Sequence, residues 1–170
     1  MPAQASPAFR TRFATFVAAG FGSGYAARAP GTAGSAVGLA FGALLIEIYP
    51  PLLLAAIGIC TYGGLWAIEN TLVPPASGAA KSPHDDPGWI VIDEIAGQLL
   101  AMLALHRLSI LGVAAAFVLF RLFDITKPGP IGWADRQKGA TGIMADDLLA
   151  GLAAFLILLL GQAFLGQYSR

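Results

Sequence analysis

The sequence predicts an all-α membrane protein: a compact bundle of about five transmembrane helices, a short N-terminal amphipathic helix, and polar loops gathered on one face. Three observations predict it. They are an apolar excess, five apolar stretches of near-spanning length, and an uneven sorting of charge among the linkers. Of 170 residues, 56% are hydrophobic and 12% charged, where an ordinary soluble domain carries about 25% charged residues. A soluble chain this short buries too small a share of its surface to hide so much apolar material. The length suits a single domain, residues 1–170. Ten basic and ten acidic residues cancel, so no global field draws nucleic acid.

A short helix is expected over about 9–19. Arg10 and Arg12 stand before an apolar stretch that is too short, and too soon interrupted by glycines, for a cleavable signal peptide. A hydrocarbon core of about 30 Å needs roughly 20 apolar residues as helix. Spans are therefore expected over about 35–49, 51–68, 89–105, 108–123 and 148–165. The last, LLAGLAAFLILLLGQAFL, carries no charge. The first holds Glu47 near its end, and the third holds Asp93 and Glu94 near its start. Glycine and alanine recur in all five, which suits close helix approach in lipid. Cys60 is the lone cysteine, so an intrachain disulfide and a thiolate cluster are both excluded. Its apolar neighbours mark it as a packing residue.

The linkers set the expected orientation. If five spans alternate, three long polar linkers (the N-terminal region, 69–88 and 121–147) share one side. That side holds Arg10, Arg12, Arg28, Lys81, Arg121, Lys127, Arg136 and Lys138; only Arg107 and Arg170 lie opposite. The positive-inside rule puts the long linkers in the cytoplasm. The acidic residues sort the same way, with only Glu47 nearer the other face.

Four stretches on that face hold candidate chemistry. In IVIDEIAGQ, Asp93 and Glu94 enter an apolar helix, where ionised carboxylates are costly and usually mark function. Neighbours on a helix sit about 100° apart, so both reach one site only near a helix end. The bland reading is a wet first turn with acids favoured by the helix dipole. Asp146-Asp147 precede LLAGL, and capping is an equal reading for them. Residues 139–143 with their two glycines would then form a tight loop ahead of the cap. In RLFDITKPGPIGWADRQK, Arg121 lies one turn before Asp124, Lys127 precedes Pro128, and Asp135-Arg136 reads as a surface ion pair. The bland reading here is a basic loop touching lipid headgroups. In GFGSGYAARAPGTAGS, glycines and hydroxyls, Thr32 among them, suit an anion nest beside Arg28. A turn-rich entry to a helix is the alternative. Oxygen donors without thiolate, and with few imidazoles, suit Mg²⁺ or Mn²⁺ better than Zn²⁺. His84 and Asp86 in the loop before Trp89 are acid/base candidates.

Four motifs in order, GSGYAARAPGTAGS, DPGWIVIDEIAGQ, FRLFDITKPGPIGWADR and GATGIMADDLLAG, resemble those of phosphatidylglycerophosphatase A, and cover residues 22–151. Ala27, and Ala140-Thr141, depart from the family pattern at positions expected to lie in loops. The resemblance implies Mg²⁺-dependent hydrolysis of phosphatidylglycerophosphate to phosphatidylglycerol and phosphate, at the cytoplasmic face of a bacterial inner membrane. It implies metal ligation and catalysis by Asp93, Glu94, Asp124, Asp146 and Asp147. Arg28, Thr32, Arg121, Lys127 and Lys138 would bind the substrate phosphate, with His84 or Asp86 as acid/base. The partner is the phospholipid itself; the oligomeric state is left open.

Other phosphatase signatures are absent. FDITK lacks the second Asp of the haloacid-dehalogenase DxDxT, and neither the phosphatidic-acid phosphatase motifs nor a CDP-alcohol phosphotransferase signature is present. The competing class is a small cation or phosphate transporter. Charges along its pathway would sit at several depths, whereas here they crowd one face.

Overall fold

The computed structural model describes residues 7–72 and 87–168, with side chains over 8–72 and 87–164. His84, Asp86 and Lys81 lie outside the described residues. Every regular element among the described residues is helical, with no strand: α1 Pro7–Ala18, a 3-10 turn at Gly20–Tyr25, α2 Pro30–Ile48, α3 Leu52–Thr71, α4 Ile92–Met102, α5 Ile110–Thr126, α6 Pro130–Asp135 and α7 Gly139–Tyr168.

Local chemistry sets these limits. Pro30 opens α2, and Pro130 opens α6, each at a first-turn position where a missing N–H costs nothing. Ser109 caps α5, its Oγ accepting from the Gly112 N–H at 3.0 Å, which satisfies one of the first orphan donors. At its other end α5 stops where Lys127 turns left-handed, with φ 44°, directly before Pro128.

Among the described residues, three helices are long and apolar enough to cross a membrane: α2, α3 and the Gly139–Phe164 part of α7. The expected span at 89–105 is helical over only part of its length. Only 11 of its residues, Ile92–Met102, are helical, a rise of about 16 Å against a core of about 30 Å. Beyond Met102 the chain turns while Ala104 and Leu105 stay buried. Gln162 of α7 donates Nε2–H to the Ala104 carbonyl at 3.1 Å, so a backbone group that leaves the helix is still paired inside the bundle.

A correction concerns the last helix. It begins at Gly139, not near 148, so residues 139–143 are helix rather than a tight loop. Packing overrides the weak helical propensity of the two glycines: Ala140 and Met144 are buried, and the Met144 methyl lies over Gly64 of α3. Asp146 and Asp147 therefore stand well inside α7 and do not cap it.

α4 is the hub, buried on almost every side. Along α2, Gly34 meets Val91, Gly38 meets Ile95 and Gly42 meets Met102, so α2 and α4 run in the same direction. α7 runs that way too, with Gly151 on Gly97 near one end and Gln162 on Ala104 near the other. α5 runs oppositely, Phe120 reaching Gly97 while Leu105 lies near Gly112. α1 packs Ala14 and Ala18 inward and turns Phe9, Phe13 and Phe16 outward.

Candidate active site

The site is built where α4 and α7 cross. A Cβ on Gly97 would lie 2.5 Å from the Asp147 carbonyl oxygen, and one on Gly151 would lie 2.3 Å from that of Gly97. Only glycine allows that approach. Each crossing glycine stands four residues after an aspartate and directly after a fully buried alanine: Asp93-Glu94-Ile95-Ala96-Gly97 and Asp147-Leu148-Leu149-Ala150-Gly151. Four residues is about one helical turn. The contact that joins the helices thus stacks Asp93 and Asp147 on the same side of the crossing.

Glu94 completes the group. One oxygen from each of Asp93, Glu94 and Asp147 lies within 4.8 Å of the others. Asp93 and Asp147 are buried and Glu94 is half-buried. Both members of the first pair reach the group because α4 starts at Ile92, which leaves them in its first turn. Asp124 arrives from the end of α5, its carboxyl within hydrogen-bonding reach of Asp147. Arg121, one turn earlier, ion-pairs with Asp124 and donates from Nη1 to Ser35 Oγ at 3.3 Å. Ser35 is fully buried and donates in turn to the Gly31 carbonyl at 2.8 Å. Gly31 must lack a side chain, since a Cβ there would meet Glu94 Oε1 at 2.3 Å.

Asp146 goes elsewhere. It ion-pairs with Lys127 at 2.5 Å, and Lys127 also pairs with Asp135. The expected Asp135–Arg136 surface pair is therefore replaced by Asp135–Lys127. Burial alone would lower the Lys127 ammonium, but its hydrogen bonds to Asp135 and Asp146 outweigh that and raise it above the usual lysine range.

Four of the five expected carboxylates thus converge, while the fifth anchors a lysine beside them. Of the expected phosphate binders, Arg121 and Lys127 lie among the carboxylates. Arg28 and Thr32 are exposed at the entry to α2, and Lys138 is exposed in the turn before α7. The glycines of the first motif do not form a separate nest. Gly24 packs on the Trp89 carbonyl, and Gly34 on Val91. Sequence reasoning missed Ser35 as the Arg121 anchor, and also the repeated D-x-x-A-G that sets the crossing. The repeat was the available signal.

Four carboxylates against one guanidinium leave excess negative charge in a poorly solvated place, which a proton or a cation must offset. The donors are all oxygen, which suits a small hard divalent cation. Glu94 Oε2 is buried with no hydrogen-bond partner, a lone pair that such a cation would satisfy. The residues present fit Mg²⁺ or Mn²⁺.

Residues 16–162 match the family model of phosphatidylglycerophosphatase A. The chain belongs to that family. Proteins named phosphatidylglycerophosphatase A from Haemophilus influenzae and Escherichia coli are each 37% identical to it. The first alignment covers 83% of both chains, the second 84% of this chain and 79% of its relative. A Bacteroides thetaiotaomicron protein, named as a candidate phosphatidylinositol-3-phosphatase, is 32% identical over 88% of this chain and 94% of its own. No solved structure matches the chain.

Proposed function

We propose that this member of the family is a Mg²⁺-dependent phosphatase that converts phosphatidylglycerophosphate to phosphatidylglycerol and phosphate, acting at the cytoplasmic face of a bacterial inner membrane. Family membership over 16–162 supports the phosphatase activity. The single observation that carries the chemistry is the group of Asp93, Glu94 and Asp147 oxygens within 4.8 Å of one another. Asp93, Glu94 and Asp147 would hold the metal, with Asp124 beside them.

Bound Mg²⁺ supplies charge neutralisation at a phosphoryl group and a more acidic coordinated water. The chain's own residues do the rest. Arg121 is held by Asp124 and Ser35, which fixes its guanidinium before substrate arrives and so lowers the reorganisation needed to meet developing charge. Lys127 is held by Asp135 and Asp146 and brings a second fixed cation to the same edge. Arg28, exposed just before α2, presents the fork of donors that suits phosphate oxygens. His84 or Asp86 would protonate the leaving alkoxide.

The finer topology belongs to the same reading. α2, α3, α4, α5 and α7 alternate in direction, which supports five passes with α4 crossing through its flanking turns as well as its helix. The alternation supports grouping the carboxylate end with most of the basic residues, which the positive-inside rule reads as the cytoplasmic side. α1, with outward Phe9, Phe13 and Phe16 beside Arg10 and Arg12, would lie in that interface. The crowding of charge at one end disfavours a transporter pathway.

The test is phosphate release from phosphatidylglycerophosphate in detergent micelles, with and without Mg²⁺, for wild type and Asp93→Asn. Mg²⁺-dependent release that the substitution abolishes is expected. Release that survives Asp93→Asn would keep the activity and remove the proposed centre. No release from folded wild type would remove the function.

A further inference from the structure

We propose that the groove between α5, α6 and α7 holds one acyl chain of the lipid substrate, an inference that rests on the phosphatase reading above. The groove has a volume of about 360 Å³ and is lined by Phe123, Pro128, Pro130, Leu149, Ala153 and Leu156, among others, a size ordinary for a ligand pocket, which runs from about 300 to 1,000 Å³. Its α7 wall is a single helix face. Asp146, Leu149, Ala153 and Leu156 follow one another at helical spacing, and the residue heading that face is the one that pairs with Lys127. Its opposite wall starts from the same place, since Phe123 precedes Asp124 and Pro128 follows Lys127.

The groove is apolar throughout, and its walls begin next to the Lys127–Asp146 pair: Pro128 follows Lys127, and Leu149 lies one turn after Asp146. The groove runs about 10 Å along α7 from Leu149 to Leu156. Its rim is open: Leu152 is 40% and Leu156 48% exposed, on a helix apolar enough to cross a membrane. A soluble phosphate ester would have no use for such a surface. A membrane lipid that brings its phosphate to the carboxylates must lay its chains beside the bundle, and the walls of this groove start from the neighbours of the Lys127–Asp146 pair.

A larger groove of about 680 Å³ lies between α2 and α5, lined by Leu39, Ala114 and Phe117 among others. It sits towards the start of α5. Ala114 is ten residues before Asp124, about 15 Å along the helix, so that groove does not adjoin the site.

The experiment compares kcat/KM for dioleoyl and dihexanoyl phosphatidylglycerophosphate in mixed micelles with Mg²⁺. Ala153→Phe fills the groove from within, and Leu152→Trp covers its exposed rim. Both are expected to lower the long-chain to short-chain ratio by about tenfold, the loss of roughly two buried methylenes. Ala114→Phe, in the other groove, is expected to keep the wild-type ratio. An unchanged ratio in both α7 variants would overturn the proposal, as would a ratio that falls only in Ala114→Phe. If Ala153→Phe does not fold, Leu152→Trp alone decides, because it replaces a half-exposed side chain. Wild type active on both lipids with unchanged variant ratios removes the groove alone. Wild type silent on both removes the phosphatase reading and the groove with it.

Discussion

α4 and α7 carry the same five-residue pattern, run in the same direction and touch through its glycines, yet they use their acidic pairs differently. In α4 the pair lies in the first turn, and both carboxylates join the cluster. In α7 the helix starts at Gly139, well before the pair, and the 100° between neighbours is fully enforced. Asp147 turns into the cluster, whereas Asp146 turns out to Lys127. The position of a pair relative to its helix start decides whether it supplies two ligands or one. An adjacent-acid motif alone says nothing of that.

The sharpest way to break this comparison is to neutralise the α7 acids separately. Asp147→Asn keeps the volume and removes a charge from the cluster. We expect phosphate release to fall by at least about 10²-fold, the scale of removing one group that stabilises transition-state charge. Asp146→Asn is expected to cost only about tenfold, as for a group supporting the site from outside. Equal losses would mean that the two acids share one role. At the matching α4 pair, Asp93→Asn and Glu94→Gln are expected to be alike, both severe.

The crossing itself comes next. Gly151→Ala sets a Cβ against the Gly97 carbonyl, and relief requires the two helices to separate. Overpacking of this kind costs about 1–3 kcal/mol. Thermal unfolding in detergent should show the loss, and phosphate release should fall further than stability explains, because Asp93 and Asp147 move apart. A Gly151→Ala protein with normal unfolding and normal turnover would show that the crossing does not position the carboxylates.

Much of this was legible in the sequence. Each apolar stretch contains a helix, because burying apolar side chains and backbone in lipid leaves little choice, although only Ile92–Met102 of the third is helical. Asp93, Glu94, Asp124 and Asp147 stood out because charge in apolar surroundings is costly enough to need a reason. Three things were not legible. GATG read as a loop because glycine is a poor helix former, whereas the burial of Ala140 and the contact of Met144 with Gly64 of α3, distant in sequence, favour the helix. Asp146-Asp147 then read equally well as a cap or as part of a site. The choice of Lys127 by Asp135 depends on a left-handed residue and a six-residue helix, α6, that no periodicity announces. The crossing was hidden in plain view: the D-x-x-A-G match between α4 and α7 needed the two helices to be read against each other.

The smallest expected effect concerns the difference in length. α7 runs 30 residues and α4 only 11, so the chain after Met102 loses helical partners for its carbonyls while still packed inside. Gln162 supplies one, to Ala104. Gln162→Leu puts an apolar side chain of similar size in place of the amide and removes the donor, leaving the buried Ala104 carbonyl unpaired. The expected loss is about 1 kcal/mol, seen as a lower unfolding temperature with kcat unchanged, since the bond lies at the end of the bundle away from the carboxylates. A larger loss accompanied by reduced turnover would mean that the stop of α4 is coupled to its start, and that the short helix moves as one rigid piece under the site. No change in stability would mean that another donor reaches the Ala104 carbonyl, and the length difference would then need no help from α7.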